Sequence, residues 1–220
     1  AVTYPFDRSR RLVHECSRYM TWVFFGLPPR VRRTIDGVEN IDRRKSYVIV
    51  INHTSGVDII AAYKIPLNFR WVSKREVFRI PFFGPMLLVH GDIPIERGNA
   101  AAAMAKVVHQ GKIWLGRGAS VAIFPEGTRS KDGEIHRFKA GAFTLAKEAG
   151  VEILPVVMTG TATMFRGWRM NWTNRIRIRV LPPVSVEEAA SMEIKELAQT
   201  VQERMTTALA ELRGEEAKRG

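Results

Sequence analysis

Apolar residues in this chain fall into short continuous runs and longer amphipathic stretches, separated by polar turns. "SYVIVIN" (46–52), "ASVAIFP" (119–125) and "VEILPVVM" (151–158) are β-branched runs without alternation, the pattern of strands buried on both faces. "FRWVS" (69–73) reads as a further strand, and "RIRIRV" (175–180) alternates cleanly, a strand with one charged face. "NAAAAMAKVVHQGKIWL" (99–115) predicts a helix with Asn99 as N-cap, and "AGAFTLAKEAG" (140–150) a helix closed by Gly150. "MEIKELAQTVQERMTTALAEL" (192–212) has the periodicity of an amphipathic helix. "RIPFFGPMLLVHG" (79–91) is too broken by Pro81 and Pro85 for one regular helix. Strands alternating with helices predict an α/β fold, with a mixed or mostly parallel central sheet flanked by helices.

The first 33 residues differ from the rest. Seven arginines stand there against Asp7 and Glu15, around a cluster of Tyr19, Met20, Trp22, Val23, Phe24, Phe25 and Leu27. Two readings fit this pattern: a helix lying in the headgroup region of a membrane, or a helix docked on the domain's own core. A boundary is therefore expected after residue 33, with residues 34–220 forming a single α/β domain. No apolar run approaches the roughly 20 residues that span a bilayer. The chain begins at Ala1 rather than Met, which leaves room for an upstream segment.

Composition narrows the class of partner. At 45% hydrophobic and 25% charged over 220 residues, the chain reads as globular. A net charge of +12 suits nucleic acid, an anionic membrane surface or an anionic substrate. The single cysteine, Cys16, excludes an internal disulfide and a cysteine zinc cluster. Its near neighbour His14 points elsewhere on a helix.

Three strand ends carry unusual polar residues. In "NHTSGVD" (52–58), a continuous helix would hold His53 and Asp58 about 140° apart, so the turn "TSG" must bring them together. If they meet, Asp58 orients one imidazole nitrogen and frees the other as a base. Ser55 and Asp58 equally match a capping box at a helix start. In "FPEGTRS" (124–130), Gly127 permits a tight turn exposing backbone N–H groups, and Arg129 offers a fork matched to phosphate. Arg137 and Lys139 follow just before a helix N-terminus. In "GDIPIERGN" (91–99), Pro94 predicts an edge strand that ends at Glu96 and Arg97.

Taken in order, these blocks resemble the glycerolipid acyltransferases, the 1-acylglycerol-3-phosphate (lysophosphatidic acid) acyltransferase family. "NHTSGVD" matches an Asn-His-x4-Asp block, "GDIPIERGN" a second ending in arginine, "FPEGTRS" a third and "ILPVVMTGT" a fourth. "KREVFRIPFFGPML" resembles the stretch between the first two, and the likeness covers roughly residues 46 to 161. Glu96 stands where the family often has Asp.

The resemblance implies a glycerol-3-phosphate acyltransferase-like fold and transfer of a fatty acyl group from acyl-CoA or acyl-ACP to 1-acylglycerol-3-phosphate. His53 would be the base and Asp58 its partner, with no acyl-enzyme. Ser120, in "GRGASVA", precedes its strand instead of sitting on a nucleophile elbow. Arg97, Glu126, Gly127, Thr128, Arg129 and Lys139 would form the phosphate site, Glu126 shaping the loop or orienting Arg129. Asn52, Lys74 and Pro155 are secondary candidates. No metal or cofactor is implied beyond the acyl thioester co-substrate. His14, His90, His109 and His136 show no ligand spacing.

The partners implied are a lysophospholipid acceptor, the donor carrier and an anionic membrane surface, with no nucleic acid. The expected location is the cytoplasmic face of a membrane, peripheral or monotopic. Phe165, Trp168 and Trp172 among Arg166, Arg169 and Arg175 read either as a second interfacial patch or as a loop packed on its own domain. Two alternatives stay open: the same chemistry on glycerol-3-phosphate or another lyso-lipid, and a non-catalytic basic protein binding membrane or nucleic acid.

Overall fold

In a computed structural model, described for residues 6–26, 31–81, 83–96, 98–166, 169–171 and 173–218, β2 (Val48–Ile51) lies at the centre of a seven-stranded sheet. Its four residues are all buried, as their β-branched run predicts. β5 (Ser120–Ile123) and β6 (Ile153–Thr159) pair with it in parallel on either side, Val48 lying opposite Val121 and Ile153. β3 (Phe69–Lys74) and then β4 (Ile93–Ile95) extend the sheet beyond β5, so the Pro94 strand is an edge. β9 (Arg175–Val180) runs antiparallel to β6 and parallel to the opposite edge strand, β1 (Arg32–Asp36). The other pairings are parallel, so the sheet is mixed. β1 crosses the boundary expected after residue 33. A small hairpin, β7 (Phe165–Arg166) and β8 (Arg169–Met170), stands apart.

Pro155 sits inside β6 opposite Val50, in a position that normally rejects proline. Its carbonyl accepts from Leu181 N, beyond the end of β9, at 2.9 Å. A residue's N–H and C=O point to the same side of a strand, so the missing donor falls away from β2 and no central bond is lost.

Alternation along the strands separates two cores. Val48, Val50, Val121, Ile123 and Ile153 face α4 (Ala100–Gly116), α5 (Gly141–Ala149) and α7 (Ile194–Ala217). Ile49, Ile51, Trp71, Ala122 and Val156 face the other way, with Phe25 of α1 (Arg11–Gly26) and Val57 of α2 (Val57–Ala61). Asn99 caps α4 by accepting from Ala102 N, and Gly150 closes α5 in a left-handed conformation at φ 61°. α3 (Phe83–His90) holds Pro85 in its first turn, where a missing N–H costs nothing, and a separate 3-10 stretch covers 75–79. After α6 (Val186–Ser191), α7 covers β6 and β9. The charged face of β9 lies under α7, where Arg177 is buried between Glu215 and Asp36.

Helix α1 is docked on one side and exposed on the other. Asp7 caps it, accepting from Arg11 N and Leu12 N at 2.8 and 2.9 Å. His14, Thr21 and Phe25 are buried, and His14 Nδ1 meets His90 Nε2 at 3.2 Å. His90 Nδ1 in turn donates to Asp92 Oδ1 at 2.6 Å, and Arg70 reaches the carbonyls of Ser9 and Arg10. Leu12, Tyr19, Met20 and Trp22 of α1 stay exposed, as do Met86, Leu88 and Val89 of α3. No helix of the described residues is long and apolar enough to cross a membrane.

Candidate active site

The parallel strands β2, β5 and β3 all end on the same side of the sheet, and the unusual loops gather there. Asn52, just past β2, extends the ladder with its side chain: Nδ2 donates to Met158 O (3.1 Å), and Oδ1 accepts from Met158 N (2.8 Å). An amide at this position holds the first loop against β6 as a backbone group would.

His53 follows, and each of its polar groups but one is held. Its backbone N–H donates to Glu126 Oε1 (3.0 Å), and its carbonyl accepts from Ser130 N (2.7 Å). Nδ1 lies 2.8 Å from Asp58 Oδ2. A carboxylate oxygen can only accept, so Nδ1 carries the hydrogen and Nε2 has its lone pair free. No described residue hydrogen-bonds Nε2, and the side chain is 14% exposed. One face of the ring stacks on Phe124.

Asp58 is almost wholly buried, and the same oxygen also accepts from Thr54 N (2.7 Å) and Ser55 N (2.8 Å). The pairing reading of "NHTSGVD" is therefore met, and the capping box only in its carboxylate half. Asp58 accepts from Ser55 N while Ser55 Oγ accepts from Val57 N, and the turn these bonds close brings His53 onto the carboxylate.

Of the two roles expected for Glu126, the contacts are those of loop shaping and not of orienting Arg129: its two oxygens accept from His53 N and His136 N. Burial pushes its carboxyl above the ordinary glutamate value, against the pull of those two hydrogen bonds. Gly127 adopts φ 71°, and a Cβ there would stand 2.6 Å from Lys139 Nζ. This glycine thus admits both the left-handed turn and the close approach of the ammonium group. Lys139 N donates to Pro125 O, fixing the start of α5 beside the loop. Thr128 and Arg129 are exposed at the tip, and Lys74 is exposed at the end of β3. Pro155, four residues before the end of β6, shapes the strand and not the loop. Arg97 lies outside the described residues, as do Leu27, Trp168 and Trp172 of the two aromatic clusters.

A cleft of about 780 Å³ opens between α4 and the start of α5. Val72, Met104, Val107 and Ile123 give it an apolar wall, and Gly127, Thr128, Arg137 and Lys139 also line it. His53 does not line this cleft; Phe124 does, and Phe124 carries the imidazole on its ring. Among the described residues no three His, Cys, Asp or Glu side chains gather as a metal site. Ser120 opens β5 at the far end of the strand, buried and accepting from Tyr47 N.

The contacts of Glu126, Ser130 and Phe124 with His53 are not legible in the sequence. Only the recurrence of polar residues at strand ends pointed to these loops.

Comparison with known proteins adds an independent line. The family model described as "Acyltransferase" matches residues 32–159. The chain is 34% identical over 197 residues to a 1-acyl-sn-glycerol-3-phosphate acyltransferase of Salmonella typhimurium, covering 89% of this chain and 78% of that one. It is 33% identical over 177 residues to a chloroplastic 1-acyl-sn-glycerol-3-phosphate acyltransferase of Arabidopsis thaliana, covering 80% of this chain and 49% of the relative. The chain thus spans about half the length of the chloroplastic relatives it matches. The crystal structure of the 1-acyl-sn-glycerophosphate (LPA) acyltransferase PlsC from Thermotoga maritima superposes with a TM-score of 0.76 at 25% identity, over 93% of this chain and 81% of that one.

Proposed function

The chain belongs to the acyltransferase family, and on that premise we propose that it transfers a fatty acyl group from an acyl thioester to the free hydroxyl of 1-acylglycerol-3-phosphate, making phosphatidic acid. The observation that carries this reading is the His53–Asp58 pair, bonded through Nδ1 at 2.8 Å and open at Nε2.

In the proposed reaction, Nε2 takes the proton of the acceptor hydroxyl as its oxygen attacks the thioester carbonyl carbon. Asp58 stays ionised, holding the tautomer and the ring orientation while the imidazolium exists. The tetrahedral oxyanion collapses, the C–S bond breaks, and the thiolate takes the proton back from Nε2. The products are ester and thiol, with no covalent enzyme intermediate. Glu126 and Ser130 grip the His53 backbone, so little reorganisation is needed at the moment of transfer.

Lys139, Arg129 and the undescribed Arg97 are assigned to the acceptor phosphate, with Gly127 and Thr128 shaping the loop around it. Support comes from Lys139 Nζ lying over Gly127, and from the planar fork of Arg129 at the exposed tip. The apolar wall of the cleft suits an acyl chain. The donor carries coenzyme A or acyl carrier protein, and no further cofactor takes part. The exposed apolar residues of α1 and α3, on a chain of net charge +12, suit peripheral or monotopic seating on an anionic cytoplasmic membrane face.

The test is acyl transfer from labelled acyl-CoA or acyl-ACP in vesicles, with lysophosphatidic acid, lysophosphatidylcholine and glycerol-3-phosphate as competing acceptors. Phosphatidic acid is the expected product. Transfer only to another acceptor would change the substrate and keep the chemistry; no transfer to any would overturn the reading.

A further inference from the structure

Three rings form one column behind the proposed base. His53 stacks on Phe124 with centroids 3.9 Å apart and planes 12° apart. Phe124 stacks in turn on Trp71, at 4.9 Å and 19°. Strand alternation puts them there: Ile49, Ile51 and His53 point to one face of the sheet, as do Ala122 and Phe124, and Trp71 pairs with Ala122. Pro125 restricts Phe124 to extended backbone, so the ring leaves the chain in a set direction. Trp71 is only 1% exposed, in the middle of β3, and its backbone N–H donates to Asp92 Oδ1 at 2.8 Å. The far end of the column is therefore anchored in the core.

We propose that Phe124, backed by Trp71, is a positioning residue for His53: its ring face sets the plane of the imidazole and stabilises the cation formed on proton transfer. Asp58 holds one edge of the ring at Nδ1, which leaves rotation about that hydrogen bond unrestrained. A parallel aromatic face at van der Waals distance removes this freedom, and the two constraints together fix where Nε2 points. The quadrupole of the phenyl face attracts a cation, so the stack favours the imidazolium over the neutral ring. Phe124 also lines the apolar cleft, so one side chain borders both the cleft and the base.

The proposal rests on His53 acting as the base, and the experiment separates the two ideas. kcat and KM for phosphatidic acid formation are measured from about pH 5 to pH 9 for wild type, Phe124→Leu, Phe124→Met, Phe124→Tyr and His53→Ala, with thermal unfolding alongside. Phe124→Leu and Phe124→Met are expected to lower kcat about tenfold with KM changed less than about twofold. Their acid limb moves to lower pH, because the imidazolium has lost its ring face, and Phe124→Tyr restores both rate and limb. A loose loop alone would not move the limb in that direction. If Phe124→Leu does not fold, the better-filled Phe124→Met carries the test. Wild-type kcat and limb in a folded variant without the ring, beside an inactive His53→Ala, would overturn the proposal alone. An active His53→Ala would overturn the base reading and the proposal with it.

Discussion

Two histidine–aspartate pairs stand in this chain, and they are nearly the same in geometry. His53 meets Asp58 at 2.8 Å and His90 meets Asp92 at 2.6 Å, each through Nδ1. They differ in what happens at the other nitrogen. His90 Nε2 is crowded by His14, Arg70 and Tyr63 at 3.2–3.4 Å, and the whole cluster is buried between α1, α3 and β3. His53 Nε2 has no described partner and can be reached. A His–Asp pair is therefore no catalytic signature by itself; access at the distal nitrogen decides what it does. The closed pair is a bolt that seats α1 on the domain, and Trp71 joins the two regions, its backbone N–H bonded to Asp92 and its ring stacked on Phe124.

Replacing the carboxylate of each pair sharpens the contrast. Asp58→Asn leaves an acceptor for the backbone of Thr54 and Ser55 but removes the charge facing the imidazolium. Its kcat is expected to fall by about 10³ with little change in unfolding temperature, checked by steady-state kinetics beside thermal melts. Asp92→Asn breaks a buried network and should cost about 2–4 kcal/mol of stability, read by urea unfolding, while kcat falls less than about threefold. A large rate loss from the closed pair would break the distinction.

Glu126→Gln is the next effect in size. Both carboxylate oxygens accept from backbone, and an amide offers only one acceptor, so one of the His53 and His136 N–H groups loses its partner. A fall in kcat of about tenfold is expected, with unchanged KM for the donor.

The most gradual effect, small over any one pH unit, is a pH dependence of the closed cluster. Burial, helped by His90 and Arg70, pushes His14 down to about 2 from 6.5. The folded state thus binds fewer protons than the unfolded chain between these values. Stability from this group is complete above 6.5 and is lost as pH falls towards 2, by at most about 1.4 kcal/mol per pH unit. Wild type should lose stability more steeply below pH 6.5 than His14→Phe, measured by urea midpoints; equal slopes would contradict the buried neutral histidine.

The strands β2, β5 and β6 and the helices α4, α5 and α7 are legible because their apolar patterns are long and their caps are local. The His53–Asp58 pair is legible only as an alternative, since spacing cannot show whether the "TSG" turn closes. The closed pair was invisible for the opposite reason: His90 and Asp92 are neighbours, but His14 reaches them across 76 positions. Phe124 reads as an ordinary apolar residue before proline, and only the pairing of β2, β5 and β3 brings it under the imidazole. Between shaping its loop and orienting Arg129, the sequence could not choose for Glu126, because only burial shows that its oxygens take backbone donors.

The most direct test of the account is phosphatidic acid formation from labelled acyl thioester by His53→Ala and His90→Ala, each confirmed folded at the assay temperature. Loss of turnover by about 10³ or more in His53→Ala, with His90→Ala within about threefold of wild type, is the predicted result. Turnover retained in His53→Ala, or abolished in a folded His90→Ala, would contradict it.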